Sequence, residues 1–227
     1  MNVIMKTLVP FAPIFLLVAC SSAPKAPDWQ LEAKSSMERS VAAYLEGNAR
    51  IDAAELARAR SQLSRTGRAD LLATAELLHC ATRVASLVFE PCAGFESLRV
   101  DATPEQVAYA SYLRGQAQPQ DLALLPPTQR ALAGGGADAP GTADPLSRLV
   151  AAGVVLQTGQ ATPAVITQAI ETASTQGWRR PLLAWLGVQA QHAEQGGDVE
   201  EAARLKRRIA ITQGLAQTPA STAKPAP

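Results

Sequence analysis

The sequence predicts an all-α protein, and three observations carry that reading. Aromatic residues make up only 4% of the 227 residues while alanine and leucine are abundant. Apolar residues recur three and four positions apart rather than in alternation. Cap-plus-proline pairs and glycines mark helix starts and stops along the chain. About eight helices follow, arranged as stacked antiparallel hairpins.

Met37, Val41, Tyr44 and Leu45 stand at i, i+4, i+7 and i+8 and form one apolar stripe, which Gly47-Asn48 ends. A second helix is expected after Asp52, with Leu56, Ala59 and Leu63 on one face and Gly67 as its stop. The third starts near Ala69 and carries Leu71, Leu72, Ala75, Leu77, Leu78, Val84 and Leu87 around most of its circumference, so it should be the most buried helix of this half. Thr103-Pro104 is a cap followed by proline at the first helical position, leading to Val107, Tyr109 and Leu113 before Gly115. Two short helical pieces, around Leu122 to Leu125 and Thr128 to Leu132, are divided by Pro126-Pro127.

Residues 134–143 are rich in glycine, alanine and proline and read as a linker between a helical half at 28–133 and helical hairpins at 144–213. They lack the lysine and Ser/Thr of a nucleotide-binding loop. Asp144-Pro145 opens a helix with Leu146, Leu149, Val150, Val154 and Val155, and Thr162-Pro163 opens one with Ile166, Ile170 and Ala173. Pro181 opens the next, with Leu182, Leu186 and Ala190, closing at Gly196-Gly197. Asp198 caps the last, which runs to about Gln213, and residues 214–227 are too poor in apolar groups to order themselves.

The start of the chain has a different character. Lys6 precedes an apolar run over residues 7–19, broken by Pro10 and Pro13 and ending in the small residue Ala19, which is a signal-peptide layout for residues 1–19. The run is shorter than the roughly 20 residues a spanning helix needs. Leu17-Val18-Ala19-Cys20 resembles the lipobox of bacterial lipoproteins. The resemblance implies cleavage between Ala19 and Cys20, a diacylglyceryl group on the Cys20 thiol and acylation of the new amino terminus. Ser21, where an aspartate would imply retention in the inner membrane, implies the outer membrane with the protein facing the periplasm. Residues 20–27 then form a lipidated tether reaching at most about 28 Å. The alternative is an ordinary secretory signal with an incidental cysteine.

Lys6 is the one charged residue in 1–19, so the 21 basic and 20 acidic side chains of the whole become 20 and 20 in residues 20–227. A neutral chain argues against nucleic acid as a partner, because phosphate binding draws on concentrated cationic charge. With Cys20 assigned to lipid, Cys80 and Cys92 remain, and the oxidising compartment implied by the address makes a disulfide the expectation. A helix running from Cys80 to Phe89 would carry the chain about 13 Å away, so bridging requires the third helix to stop near Ser86 or Leu87 and the chain to fold back. Metal binding through His79, Cys80, Cys92 and His192 is the sharper alternative. Adjacent His79 and Cys80 point in different directions from a helix, however, and no metal-like spacing recurs, so neither metal nor cofactor is expected.

Gly197 to Ala203, with its glycine, aspartate and paired glutamates, resembles the turn and second-helix start of a tetratricopeptide repeat, and Leu186, Ala190 and Ala193 precede it at fitting positions. A looser likeness covers Ala42 to Ala59, without a 34-residue period. The resemblance implies solenoid-like helix pairs, which bind other polypeptides and seldom catalyse. The sequence carries no nucleophile elbow, zinc-protease motif or calcium loop, and its two histidines, His79 and His192, read as a helix-boundary residue and a polar-face residue. Arg204, Lys206, Arg207 and Arg208, with Arg179 and Arg180 nearby, form a candidate contact patch for anionic head groups or an acidic partner. The plainer reading pairs Glu200 with Arg204 at i+4. The expectation is a non-enzymatic outer-membrane lipoprotein that acts as an adaptor or assembly scaffold for envelope proteins. The alternative is a small envelope hydrolase or ligand-binding protein.

Overall fold

A computed structural model describes residues 26–135 and 144–214, and all regular structure among them is helical. The helices are α1 (Asp28–Glu46), α2 (Ala49–Ser64), α3 (Ala69–Ala85), α4 (Ala93–Glu96), α5 (Pro104–Leu113), α6 (Pro127–Gly135), α7 (Pro145–Gln157), α8 (Pro163–Thr175), α9 (Arg179–Gln195) and α10 (Val199–Gln213), with 3-10 segments at Arg99–Asp101 and Pro119–Leu124. The eight with ten or more residues are the eight expected ones. The single turn of α4 is additional, and α6 takes in Gly134 and Gly135, the first residues of the expected linker. The expected signal segment with Ala19, Cys20 and Ser21, the rest of the expected tether to residue 25, residues 136–143 and the expected tail from 215 lie outside the described residues.

Four helix starts follow the local chemistry. The Thr103 hydroxyl accepts from the Gln106 N–H (3.3 Å) while Gln106 Oε1 accepts from the Thr103 N–H (3.0 Å), a reciprocal cap at the head of α5. Asp144 accepts from the Leu146 and Ser147 N–H groups, Thr162 from Val165, and Asp198 from Glu201.

The second helix departs from expectation. Gly47 takes φ 93°, a left-handed geometry suited to glycine, so the Gly47 and Asn48 N–H groups reach back to the Tyr44 and Ala43 carbonyls and close α1. The reversal is complete in two residues, α2 begins at Ala49, and Asp52 lies inside the helix rather than ahead of it. The third helix stops where bridging requires: Leu87 at φ 60° turns the chain, the Val88 N–H donates to the Arg83 carbonyl (2.9 Å), and Cys80 and Cys92 meet at disulfide-bonding distance with Cα atoms 5.8 Å apart.

α3 is the centre of the molecule, packing against α1, α2, α4, α5 and α7. It buries Ala73, Leu77, Cys80, Ala81, Val84 and Ala85, as its nearly all-round apolar pattern requires. One core runs from α3 through α5, α7, α8 and α9 to Leu205 of α10, so it continues across both sides of residues 136–143. Gly153 of α7 sits against the Val84 carbonyl of α3 so closely that a methyl group there would overlap it. A smaller cluster of Ala33, Met37, Leu56, Ala59, Leu63 and Ala75 joins α1 and α2 to the other side of α3. Ion pairs lace these three helices: Glu55 of α2 is held by Arg39 (2.9 Å) and Arg58 (2.7 Å), and buried Glu76 of α3 by both arms of Arg60 (2.5 and 2.7 Å). A charged group as buried as Glu76 depends on such a bidentate partner.

Candidate functional site

The strongest candidate is an apolar groove on the face of the stack formed by α1, α3 and α5. One section, of about 390 Å³, is floored by Trp29, Ala33 and Met37 of α1 and Leu71, Ala75 and Leu78 of α3. A second, of about 590 Å³, runs between α3 and α5 and under the segment joining the second 3-10 turn to α6, with Leu77, Leu78, Tyr109, Leu124, Leu125, Pro126 and Pro127 in its walls. Thr74 and Leu78 line both sections, so the two adjoin along α3 and are treated together as one trough. Leu78 and Leu124 remain 36% and 37% exposed along it, and Leu31, three residues before the groove-lining Lys34, is 46% exposed on the outer flank of α1.

Each wall follows from local structure. The stripe of α1 that includes Met37 packs toward α3, leaving Trp29 partly covered at the first turn. On α3, residues 71, 74, 75 and 78 recur at helical spacing on the flank left open by α2 and α7. Pro126-Pro127 ends the 3-10 turn and starts α6, which tilts Leu124 over the trough instead of into the core.

The polar atoms in these walls are largely engaged within the protein. Thr74 Oγ1 donates to the Asp70 carbonyl (2.9 Å) and accepts from Gln106 Nε2 (2.9 Å). Buried Gln129 accepts from the Tyr112 hydroxyl (3.0 Å) and donates to the Ser147 carbonyl (3.3 Å), and Arg130 donates to the Leu125 carbonyl (3.0 Å). Burial pushes the Tyr109 and Tyr112 phenols well above their ordinary range, so both stay neutral. Lys34, Glu38, Glu105 and Arg130 also line the two sections, but most of what the trough offers is carbon surface, suited to aliphatic or aromatic groups.

A second polar cluster joins α1, α2, α3 and α9. Asp52 accepts a hydrogen bond from Ser40 (2.6 Å), and His79 Nε2 approaches it to 3.6 Å. Burial alone would raise the Asp52 carboxyl; His79, the Ser40 hydroxyl and the charge of Arg180 together hold it below its usual value. The His79 ring stands edge-on to Tyr44 at 6.1 Å, so this residue, expected at a helix boundary, is mostly enclosed. Arg180 lays its guanidinium over the Tyr44 ring at 4.4 Å and donates from Nε to the Tyr44 carbonyl (2.8 Å). These groups are occupied with one another, and their evident effect is to hold α9 on α1.

The remaining candidates fall elsewhere. His192 is exposed near the end of α9, far along the chain from the other members of the four-residue metal alternative, and among the described residues no group of three or more His, Cys, Asp and Glu could hold a metal ion. The basic patch is partly spent: Arg204 is chelated by Glu201 (2.6 Å twice), not by Glu200, and Lys206 pairs with Glu194 (2.6 Å). Arg207 and Arg208 make no ion pair among the described residues. None of the described helices is long and apolar enough to cross a membrane.

The fold and its groove thus define an all-helical protein with an open apolar trough along one face. Comparison with protein-family models, with curated proteins and with solved structures finds no match to this chain.

Proposed function

We propose that the protein is a lipoprotein anchored in the outer membrane through Cys20, facing the periplasm, whose helix pairs serve as an adaptor or scaffold for envelope proteins. The observation that carries this reading is the uncovered trough on α1, α3 and α5. An open, mainly apolar groove on a folded chain marks an interaction site, and its lining favours apolar side chains of another polypeptide. The lipobox-like Leu17-Val18-Ala19-Cys20 supports the anchor, and the likeness of Gly197 to Ala203 to a helical repeat supports binding over catalysis. The trough begins at the first turn of α1, directly after the tether, so a bound partner would be held close to the membrane.

In-cell crosslinking followed by purification of the full chain tests this. Enrichment of an envelope protein that is lost in a Leu124→Glu variant is expected; no partner above an unrelated lipoprotein control contradicts it.

A further inference from the structure

We infer that when the protein is away from a bilayer, the trough holds the acyl chains carried by its own Cys20, and that membrane insertion empties it. The inference rests on the anchored reading above and adds regulation of the same site.

Three observations meet here. The described chain begins at Ala26 and α1 at Asp28, and Trp29, the second residue of α1, already lines the trough. From Ala26 back to Cys20 is six residues, a reach of at most about 21 Å, while α1 carries Trp29, Ala33 and Met37 past the trough within about 14 Å of its start. An acyl group on the Cys20 thiol can therefore be delivered to any point of the section lined by α1, with its chain running on past Leu78 toward Leu124.

The chemistry of the walls selects the same occupant. A hydrocarbon chain makes no hydrogen bonds and needs none, and Thr74, Gln106 and Gln129 already make theirs inside the protein. The two sections adjoin at Thr74 and Leu78, an elongated arrangement that suits a long flexible chain better than a compact ligand. It is also open along one side. A chain lying in it keeps part of its surface in water, whereas a bilayer surrounds the chain completely, so insertion wins wherever a membrane is present. The trough is then free to bind a polypeptide only after anchoring, which restricts adaptor activity to the membrane-bound protein.

The test uses the full chain made in cells fed a fatty acid bearing a diazirine and an alkyne, with Cys20→Ala as the unlabelled control. The purified protein is irradiated in buffer below the detergent micelle threshold and, separately, in phospholipid vesicles, and the adducts are mapped by peptide mass spectrometry. Expected in buffer are adducts on peptides containing Met37, Leu71 to Leu78 and Leu124, falling several-fold in vesicles and falling likewise in Leu78→Glu and Leu124→Glu variants. Adducts confined to other surfaces, or equal in buffer and vesicles, overturn the inference while leaving the anchor intact. Absence of label from the wild-type protein overturns the anchor itself, and this inference with it. The comparison of buffer with vesicles uses wild-type protein alone, so it decides the matter even if a variant fails to fold.

Discussion

The indole Nε1 of Trp185 donates a hydrogen bond of 3.1 Å to the carbonyl of Ala85, one hundred residues earlier in the chain. Ala85 is the last residue of α3, so its carbonyl has no partner within the helix, and α9 supplies one. Trp185 is itself fully buried, and this single side chain both fills the core and closes the end of the central helix.

Replacing Trp185 by phenylalanine keeps most of the volume and removes the donor, and should cost about 1–3 kcal/mol because the Ala85 carbonyl stays buried without a partner. Replacement by alanine adds a cavity and should cost about 3–5 kcal/mol. Chemical denaturation of the three proteins measures both; equal stability of wild type and W185F would show that the bond contributes nothing.

The bridge between Cys80 and Cys92 closes a loop of 12 residues, and on chain-entropy grounds its loss should lower stability by about 3 kcal/mol. A Cys80→Ser, Cys92→Ser double variant compared with wild type, both with and without reductant, checks this. Reductant should move the wild type and leave the variant unchanged. Two titratable thiols in the denatured, unreduced protein would contradict the bridge.

Gly153 lies where α7 crosses the last turn of α3, and its side should accept no added group. Gly153→Ala drives a methyl against the Val84 carbonyl, which is backbone and cannot swing away, so a loss of about 1–3 kcal/mol is expected. Gly187, on α9 with open space beside it, is the control: alanine there should be neutral or slightly stabilising.

Much of this was legible locally. Thr103, Asp144, Thr162 and Asp198 each cap a helix because a side-chain oxygen and the next few N–H groups suffice to do so, without help from distant parts of the chain. The stop after α3 was legible from the distance that Cys92 must return. Asp52 was not: a polar residue just after a glycine-containing turn reads as a helix start, and only the packing of α2 against α1 and α3 places Ser40 and His79 against it. Arg204 chose Glu201 over Glu200 through side-chain geometry that spacing leaves open. The trough was invisible as a unit, since its walls come from three helices and a proline-broken turn, and each residue alone reads as ordinary core.

The Asp52 cluster sets a pH dependence. Its carboxyl is held below the ordinary value near 3.8, so the stabilisation is complete above that value and is lost as the pH falls through the lower folded-state value. Asp52→Asn should therefore cost about 1–2 kcal/mol at neutral pH and lose less stability than wild type between pH 5 and about 2. Melting temperatures of both proteins across that range provide the check, and parallel acid limbs would contradict the assignment.

Attachment through Cys20 is the claim on which the proposed function depends most. The direct measurement is membrane fractionation of cells expressing the full chain or its Cys20→Ala variant, with intact mass of the recovered protein. Anchoring predicts that wild-type protein sediments with outer membranes, dissolves only in detergent and has the mass of a chain starting at an acylated Cys20, while the variant is released or mislocalised. Unchanged detergent-dependent membrane association of the variant, or a wild-type mass with an unmodified Cys20, would contradict it.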